Sequence, residues 1–227
     1  MQNAPIHAVL FDLDGTLIDT AQDLSLSLNL TLAEFGYLPL DPEYCISLVG
    51  NGIPNLVRRA FGKSAYDNPD YLWTEDFLQN IVSRYKEIYA DHLLDHTRPY
   101  PGVPETLERL KSKKLALISN KAYWYTFEIL KHFRMQSYFS VILGGDSLPE
   151  KKPDPEPLRH AMHALNVLPR HTLMVGDGEA DMQAGRAAAV RICAVTYGMR
   201  PKSTLAAFAP DFWIDRIEEL LTLPLIS

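Results

Sequence analysis

The run Phe11-Asp12-Leu13-Asp14-Gly15-Thr16 places two carboxylates two residues apart, with a glycine directly after the second. Ala8-Val9-Leu10-Phe11 is a short continuous apolar run of the kind that makes a buried strand, and Asp12 ends it. On a loop leaving a strand the two acids can face one small volume. There they favour a hard divalent cation, which prefers oxygen ligands. A carboxylate can also attack phosphorus to give an aspartyl-phosphate, while a second carboxyl serves as acid and then as base. Gly15 lets the backbone turn away sharply and brings N–H groups near phosphate oxygens; Thr16 stands beside it in a supporting position. With each residue type used at roughly 5–7%, these four fixed positions coincide by chance in well under about one chain in a hundred.

Three later segments supply partners. Ser119, in Ser119-Asn120-Lys121, can donate a hydrogen bond to a phosphoryl oxygen, and Asn120 beside it joins the phosphate-binding set. Lys152, in Lys151-Lys152-Pro153-Asp154-Pro155, is a cation in a stiff turn, able to neutralise charge on a transferring phosphoryl group. Gly176-Asp177-Gly178-Glu179-Ala180-Asp181 offers Asp177 as a metal ligand and, one helical turn on, Asp181 as a holder for Lys152. Each segment has an ordinary reading too. Serines commonly end strands, lysine pairs are usually solvated, and acids at a helix start cap it and complement its dipole. Only together do they outweigh those readings.

The elements that must position these residues follow from the apolar pattern. Strands are expected at Ala8–Phe11, Leu115–Ile118, Phe139–Leu143, Thr172–Val175 and Arg191–Val195, with Asp211–Ile214 at an edge. Helical patterns lie between them, around 104–111, 123–135, 155–166, 179–189 and 203–208. From about 20 to 95 the chain reads as helical segments alone, broken at Gly50-Asn51-Gly52 and at Asn68-Pro69. In the first of these helices Leu24, Leu28, Thr31, Leu32 and Phe35 recur at helical spacing, and Gly36 is placed to cap it. Arg98-Pro99-Tyr100-Pro101-Gly102 marks a boundary. The expected architecture is an α/β, mostly parallel sheet core made of residues 1–18 and 98–227, with an inserted all-helical domain at 19–97. In such sheets ligands bind beyond the carboxyl ends of the strands, where Asp12, Ser119 and Asp177 would converge.

Composition narrows the partners. The 227 residues are 47% hydrophobic and 22% charged, as in ordinary globular proteins, and long enough for a sizeable core. A formal net charge of -6 argues against nucleic acid as a partner, without excluding a local basic pocket for a small anion. Cys45 and Cys193 form no Cys-x-x-Cys pair, no apolar run approaches membrane-spanning length, and no secretory signal is evident, so a cytoplasmic location is expected. His92 with His96, and His160 with His163, are spaced within a helical turn but lack a third ligand, so they are read as surface residues. Tyr123, Trp124 and Tyr125 are read as packing aromatics. Oligomeric state is not legible.

The four polar segments, in this order, resemble the motifs of the haloacid dehalogenase superfamily over nearly the whole chain. That resemblance implies a Rossmann-like core with the helical insertion as a mobile cap. It casts Asp12 as nucleophile and Asp14 as general acid/base, with Ser119 and Lys152 on phosphate. It also implies Mg2+ held by the carboxylates of Asp12 and Asp177 and the backbone carbonyl of Asp14, with Asp181 in support. Within the superfamily the sequence is most similar to phosphoglycolate phosphatases, through Val49-Gly50-Asn51-Gly52 with Leu56 and Arg59-Ala60, through Ser119-Asn120-Lys121, and through Gly144-Gly145-Asp146 leading to Lys151-Lys152-Pro153. Gly50, Asn51, Gly52 and Arg59 are the substrate-specificity candidates, Arg59 as a fork of donors for a substrate carboxylate. Three positions depart from the pattern: Gly178 in place of Ser or Thr, Glu179 where a basic residue is common, and Val190 where a glycine often ends the helix. The implied reaction is Mg2+-dependent hydrolysis of a small phosphorylated metabolite, with 2-phosphoglycolate the leading candidate. The alternatives are another small-metabolite or sugar phosphatase, or a beta-phosphoglucomutase-like isomerase. A carbon–halogen hydrolase is disfavoured by Asp14, and a non-catalytic phosphate binder by the intact acid set.

Overall fold

The expected apolar runs become the strands of one sheet in the computed structural model, which describes residues 4–65 and 74–226. In chain order the strands are β1 (Ala8–Phe11), β2 (Ile18–Asp19), β3 (Arg98–Pro99), β4 (Lys114–Ile118), β5 (Val141–Leu143), β6 (Thr172–Gly176), β7 (Arg191–Val195) and β8 (Phe212–Ile214). Six of them form the main sheet in the order β5-β4-β1-β6-β7-β8, while β2 and β3 make a separate two-stranded ribbon. Every adjacent pair in the six-stranded sheet is parallel. The fold is therefore α/β and Rossmann-like. The two-residue strands β2 and β3 are too short to leave a periodic signal in the sequence. Phe139 and Ser140 fall outside β5 because Gln136–Tyr138 takes a 3-10 turn and the Phe139 N–H donates to the Gln136 carbonyl.

The chain divides into two compact units, residues 1–19 with 99–227, and residues 20–98. In the first, the helices are α5 (Val103–Arg109), α6 (Tyr123–His132), α7 (Glu156–Ala164), α8 (Glu179–Ala187) and α9 (Lys202–Ala206); in the second, they are α1 (Ala21–Glu34), α2 (Pro42–Ser47), α3 (Ile53–Ser64) and α4 (Glu75–Asp91). Among the described residues the second unit holds no strand apart from Arg98 at its end. The expected break at Asn68-Pro69 lies outside the described residues.

Strand periodicity decides what each face buries. Ala8 and Leu10 of β1 share a face with Ala116 and Ile118 of β4, and Leu158, Ala161 and Met162 of α7, Ala184 of α8 and Ala188 just beyond it cover that face. All four residues of β1 are fully buried, as a central strand in a sheet covered on both sides requires. In the second unit, Leu24, Leu28, Thr31 and Leu32 form the buried stripe of α1. Gly36, at φ +79°, ends that helix: its N–H donates to Ala33 and the Tyr37 N–H to Leu32, the two bonds of a Schellman cap.

One reading changes in part, and one buried acid is new. Tyr125 is buried, but Tyr123 and Trp124 stay 42% and 54% exposed, because α6 turns Tyr125, Thr126, Ile129 and Leu130 to the core instead. Asp23, fully buried in α1, had no signal in the sequence; it accepts the N–H groups of His96 and Thr97 and the His96 ring nitrogen. His92 likewise pairs with Asp95. Both cysteines are free and buried. Among the described residues no helix is long and apolar enough to cross a membrane.

Candidate active site

Strand order explains why distant acids meet. From β1 the sheet grows through β4 to β5 on one side and through β6, β7 and β8 on the other, so a crevice opens at the carboxyl ends of β1 and its neighbours. Asp12 lies one residue past β1 with its N–H still on the ladder, donating to the Val175 carbonyl at 3.0 Å. Asp177 lies one residue past β6, and Ser119 one residue past β4.

Lys152 ties these ends together. Its ammonium sits 2.9 Å from Asp12 Oδ1 and 2.6 Å from Asp181 Oδ1, and the residue is only 2% exposed. The Lys152–Pro153 peptide is cis, and Asn120 Nδ2 donates to the Lys152 carbonyl at 2.7 Å. Asp181 does two jobs. Oδ1 holds Lys152, while Oδ2 accepts the Gly178 N–H at 3.0 Å and so caps α8. The helix-capping reading and the lysine-holding reading describe the same side chain.

Asp177 is held from both sides. Thr16 Oγ1 donates to its Oδ1 at 3.1 Å and the Met199 N–H to its Oδ2 at 2.7 Å. Gly15, at φ +82°, packs so closely that a Cβ there would stand 2.2 Å from Asp177 Oδ2. Asp14 turns elsewhere: its Oδ1 lies 3.1 Å from the buried Lys121 ammonium. Ser119 is buried, and its hydroxyl accepts the Lys121 N–H at 3.1 Å.

The electrostatics are those of crowded, dry carboxylates. Burial, followed by the charge of Asp181, raises the Asp12 carboxyl well above its usual range, with Lys152 pulling the other way. The same two causes push Asp177 up to about 7, against the hydrogen bonds from Met199 and Thr16. Burial by itself lowers the Lys152 ammonium, yet the charges of Asp12 and Asp181 outweigh it and hold the group above its ordinary value. One carboxylate oxygen from each of Asp12, Asp177 and Asp181 lies within 4.8 Å of the others. When ionised, three acids against one ammonium leave a local surplus of negative charge on hard oxygen donors. A divalent cation of the oxygen-preferring kind fits that donor set. No histidine enters this group, which is the one acidic or histidine cluster of its type among the described residues. The group also omits the Asp14 side chain, whose expected part was a backbone carbonyl.

Of the sequence candidates, Asp12, Thr16, Ser119, Asn120, Lys152, Asp177 and Asp181 come together in the first unit through these contacts, with Asp14 on Lys121 beside them. Gly50, Asn51, Gly52 and Arg59 belong to the second unit, where Gly52 (φ +82°) precedes the first turn of α3 and Arg59 is exposed on that helix. Two parts of the site were missed. Lys121 sat inside a triplet already singled out and needed only a carboxylate partner. The loop after β7, Thr196–Arg200, ends a strand at the same sheet edge, so the rule that selected the other strand ends would have found it. Its Arg200 pairs with Glu179 at 3.1 Å, which gives the departing Glu179 a partner.

A parallel α/β sheet carrying carboxylates, an ion-paired lysine and a buried serine at its carboxyl edge has the groups needed to bind and react with a small anion. The family model of haloacid dehalogenase-like hydrolases matches residues 9–195. Phosphoglycolate phosphatase of Chromobacterium violaceum is 41% identical over 221 residues, covering 96% of each chain. The phosphoglycolate phosphatase of Nitrosospira multiformis is also 41% identical, over 86% of this chain and 85% of its own. The crystal structure of a "predicted phosphoglycolate phosphatase" from Haemophilus somnus superposes with a TM-score of 0.90 at 32% identity, over 96% of this chain and 97% of that one. The chain belongs to the haloacid dehalogenase-like hydrolase family, and within it is a phosphoric monoester hydrolase.

Proposed function

We propose that the chain hydrolyses a small phosphate monoester through an aspartyl-phosphate on Asp12, with Mg2+ as cofactor and 2-phosphoglycolate as substrate. The observation that carries this reading is the Asp12 carboxylate at the end of the central strand, paired with a buried lysine and followed two residues later by a second carboxylate. The substrate comes from the phosphoglycolate phosphatases that match nearly the whole chain.

An oxygen of Asp12 forms a bond to phosphorus as the ester P–O bond breaks, and Asp14 gives its proton to the departing alkoxide. Lys152 and Ser119 meet the charge on the phosphoryl oxygens, and Asn120 fixes the Lys152 loop. Asp14 then takes a proton from water, whose oxygen bonds to phosphorus while the Asp12 oxygen leaves. Alcohol and inorganic phosphate are the products. Asp12, Asp177 and the Asp14 carbonyl would hold Mg2+, with Asp181 in support, and the cation would supply neutralising charge for two anions brought face to face. Arg59 and the Gly50–Gly52 turn select the substrate.

Asp12→Asn tests the reading. Turnover is expected to fall by more than about a thousandfold with the circular dichroism spectrum unchanged, since the attacking carboxylate is lost. Near-normal phosphatase activity in that variant would remove Asp12 from the role. With Mg2+ present, a panel of small phosphate esters decides the substrate. Preferred release of phosphate from 2-phosphoglycolate supports the name of the relatives, preference for a sugar phosphate replaces it, and isomerisation without phosphate release points to the mutase-like alternative.

A further inference from the structure

The loop Thr196–Arg200 belongs to none of the strand-end segments that suggested the chemistry, yet it touches the site at three points. The Met199 N–H donates to Asp177 Oδ2 at 2.7 Å. Tyr197 donates its hydroxyl to the Thr16 carbonyl at 2.9 Å. Between them Gly198 passes so close that a Cβ would stand 2.3 Å from Asp177 Cβ and 2.5 Å from the Gly15 carbonyl oxygen, well inside any real contact. Here glycine is required for space, not for its backbone angle.

These contacts close a ring. Tyr197 holds the Thr16 backbone, the Thr16 hydroxyl holds Asp177 Oδ1, and Asp177 Oδ2 is held by the residue two beyond Tyr197. The tyrosine is itself fixed: its ring lies 4.8 Å from that of Tyr100, whose N–H donates to the Leu17 carbonyl at 3.0 Å. A carboxylate with a donor on each oxygen cannot rotate freely, so less entropy is lost when it takes up a ligand.

We propose that Tyr197, Gly198 and the Met199 amide are positioning groups that fix the Asp177 carboxylate against the Asp12–Thr16 loop and thereby set the affinity of the acidic site for its divalent cation. The proposal rests on the cation reading above, and the experiment separates the two. Mn2+ binding to the purified enzyme is measured by electron paramagnetic resonance, and KM is measured at saturating metal.

Tyr197→Phe, which removes one hydroxyl and keeps the ring, is expected to weaken Mn2+ binding about threefold to tenfold, the range for one lost hydrogen bond. Gly198→Ala is expected to weaken it by at least about tenfold, as for other groups that orient metal ligands. KM should stay within about twofold of wild type, because these groups hold the cation site and not the ester. Wild-type Mn2+ affinity in Tyr197→Phe and Gly198→Ala, or a change confined to KM, overturns the proposal. If Gly198→Ala does not fold, Tyr197→Phe decides alone. Asp177→Asn is the control: it is expected to lose Mn2+ binding outright. Should it bind as wild type, the cation reading itself falls; should it fail while the loop variants bind normally, only the loop proposal falls.

Discussion

At the scale of single residues, Lys152 and Asp177 set the balance of charge. Lys152 is the cation between Asp12 and Asp181, and removing one partner of a buried ionic group typically costs about 3–5 kcal/mol. Lys152→Met is therefore expected to lose stability on that scale in metal-free buffer. The loss should also depend on pH. Without the ammonium the Asp12 carboxyl titrates higher still in the folded state, so the folded chain holds a proton that the unfolded chain has released. Stability must then fall as pH rises between the unfolded and folded values. Urea denaturation should accordingly show a larger deficit for the variant at pH 8 than at pH 5, and an equal deficit at both would contradict the burial argument. Asp177 makes a second prediction. With its carboxyl pushed up to about 7, a proton competes with any cation below that pH. Mg2+ affinity measured by calorimetry should weaken about tenfold per unit as pH falls below 7, and a flat profile from 5.5 to 8 would count against it.

Among the elements, the loop after β1 and the first turn of α1 show how local geometry is enforced from a distance. Gly15 combines a left-handed φ with no room for a Cβ beside Asp177. Ala at that position bears about 1–2 kcal/mol of backbone strain before any clash is relieved, and relief must move Asp177. Gly15→Ala is expected to melt lower than wild type and to lose most of its phosphatase activity, both measurable on one preparation. In α1, burial alone would raise the Asp23 carboxyl, but the bonds from His96 and Thr97 lower it overall. A depressed carboxyl adds stability above its ordinary value of 3.8, and that stability is lost as pH falls through the depressed value. Asp23→Asn trades an acceptor for an N–H2 facing N–H donors. It should cost about 2–3 kcal/mol at pH 7, with the gap to wild type closing toward pH 2 in the same urea titration.

For the whole molecule, a cation held by the acidic centre would link its binding to folding. A ligand that binds only the native state stabilises it by about 2.7 kcal/mol at a hundred times its dissociation constant. Saturating Mg2+ is expected to raise the melting temperature of the wild type and to leave Asp177→Asn unmoved. An equal rise in both would place the stabilising cation elsewhere. The side chains concerned, Asp12, Asp177 and Asp181, all belong to the unit made of residues 1–19 and 99–227, which the chain leaves at residue 20 and re-enters at 99.

By itself the sequence determined the sheet, the inserted helices and the residues at the strand ends. Those depend on short-range pattern: apolar runs too short for a helix, acids that stop them, and helical spacing between. Asp12, Ser119 and Asp177 could be placed at one sheet edge because parallel strands share a direction. Pairing was decided only in three dimensions. Thr16 meets Asp177 across 161 residues, and the Lys121 ammonium faces the Asp14 carboxylate. The Thr196–Arg200 loop reaches Asp177 with a backbone N–H, a group that every residue except proline carries and that no sequence pattern marks. The Asp12–Thr16 run pointed to a chemistry through residue types. The charge around it depends on burial and on neighbours that packing alone brings near.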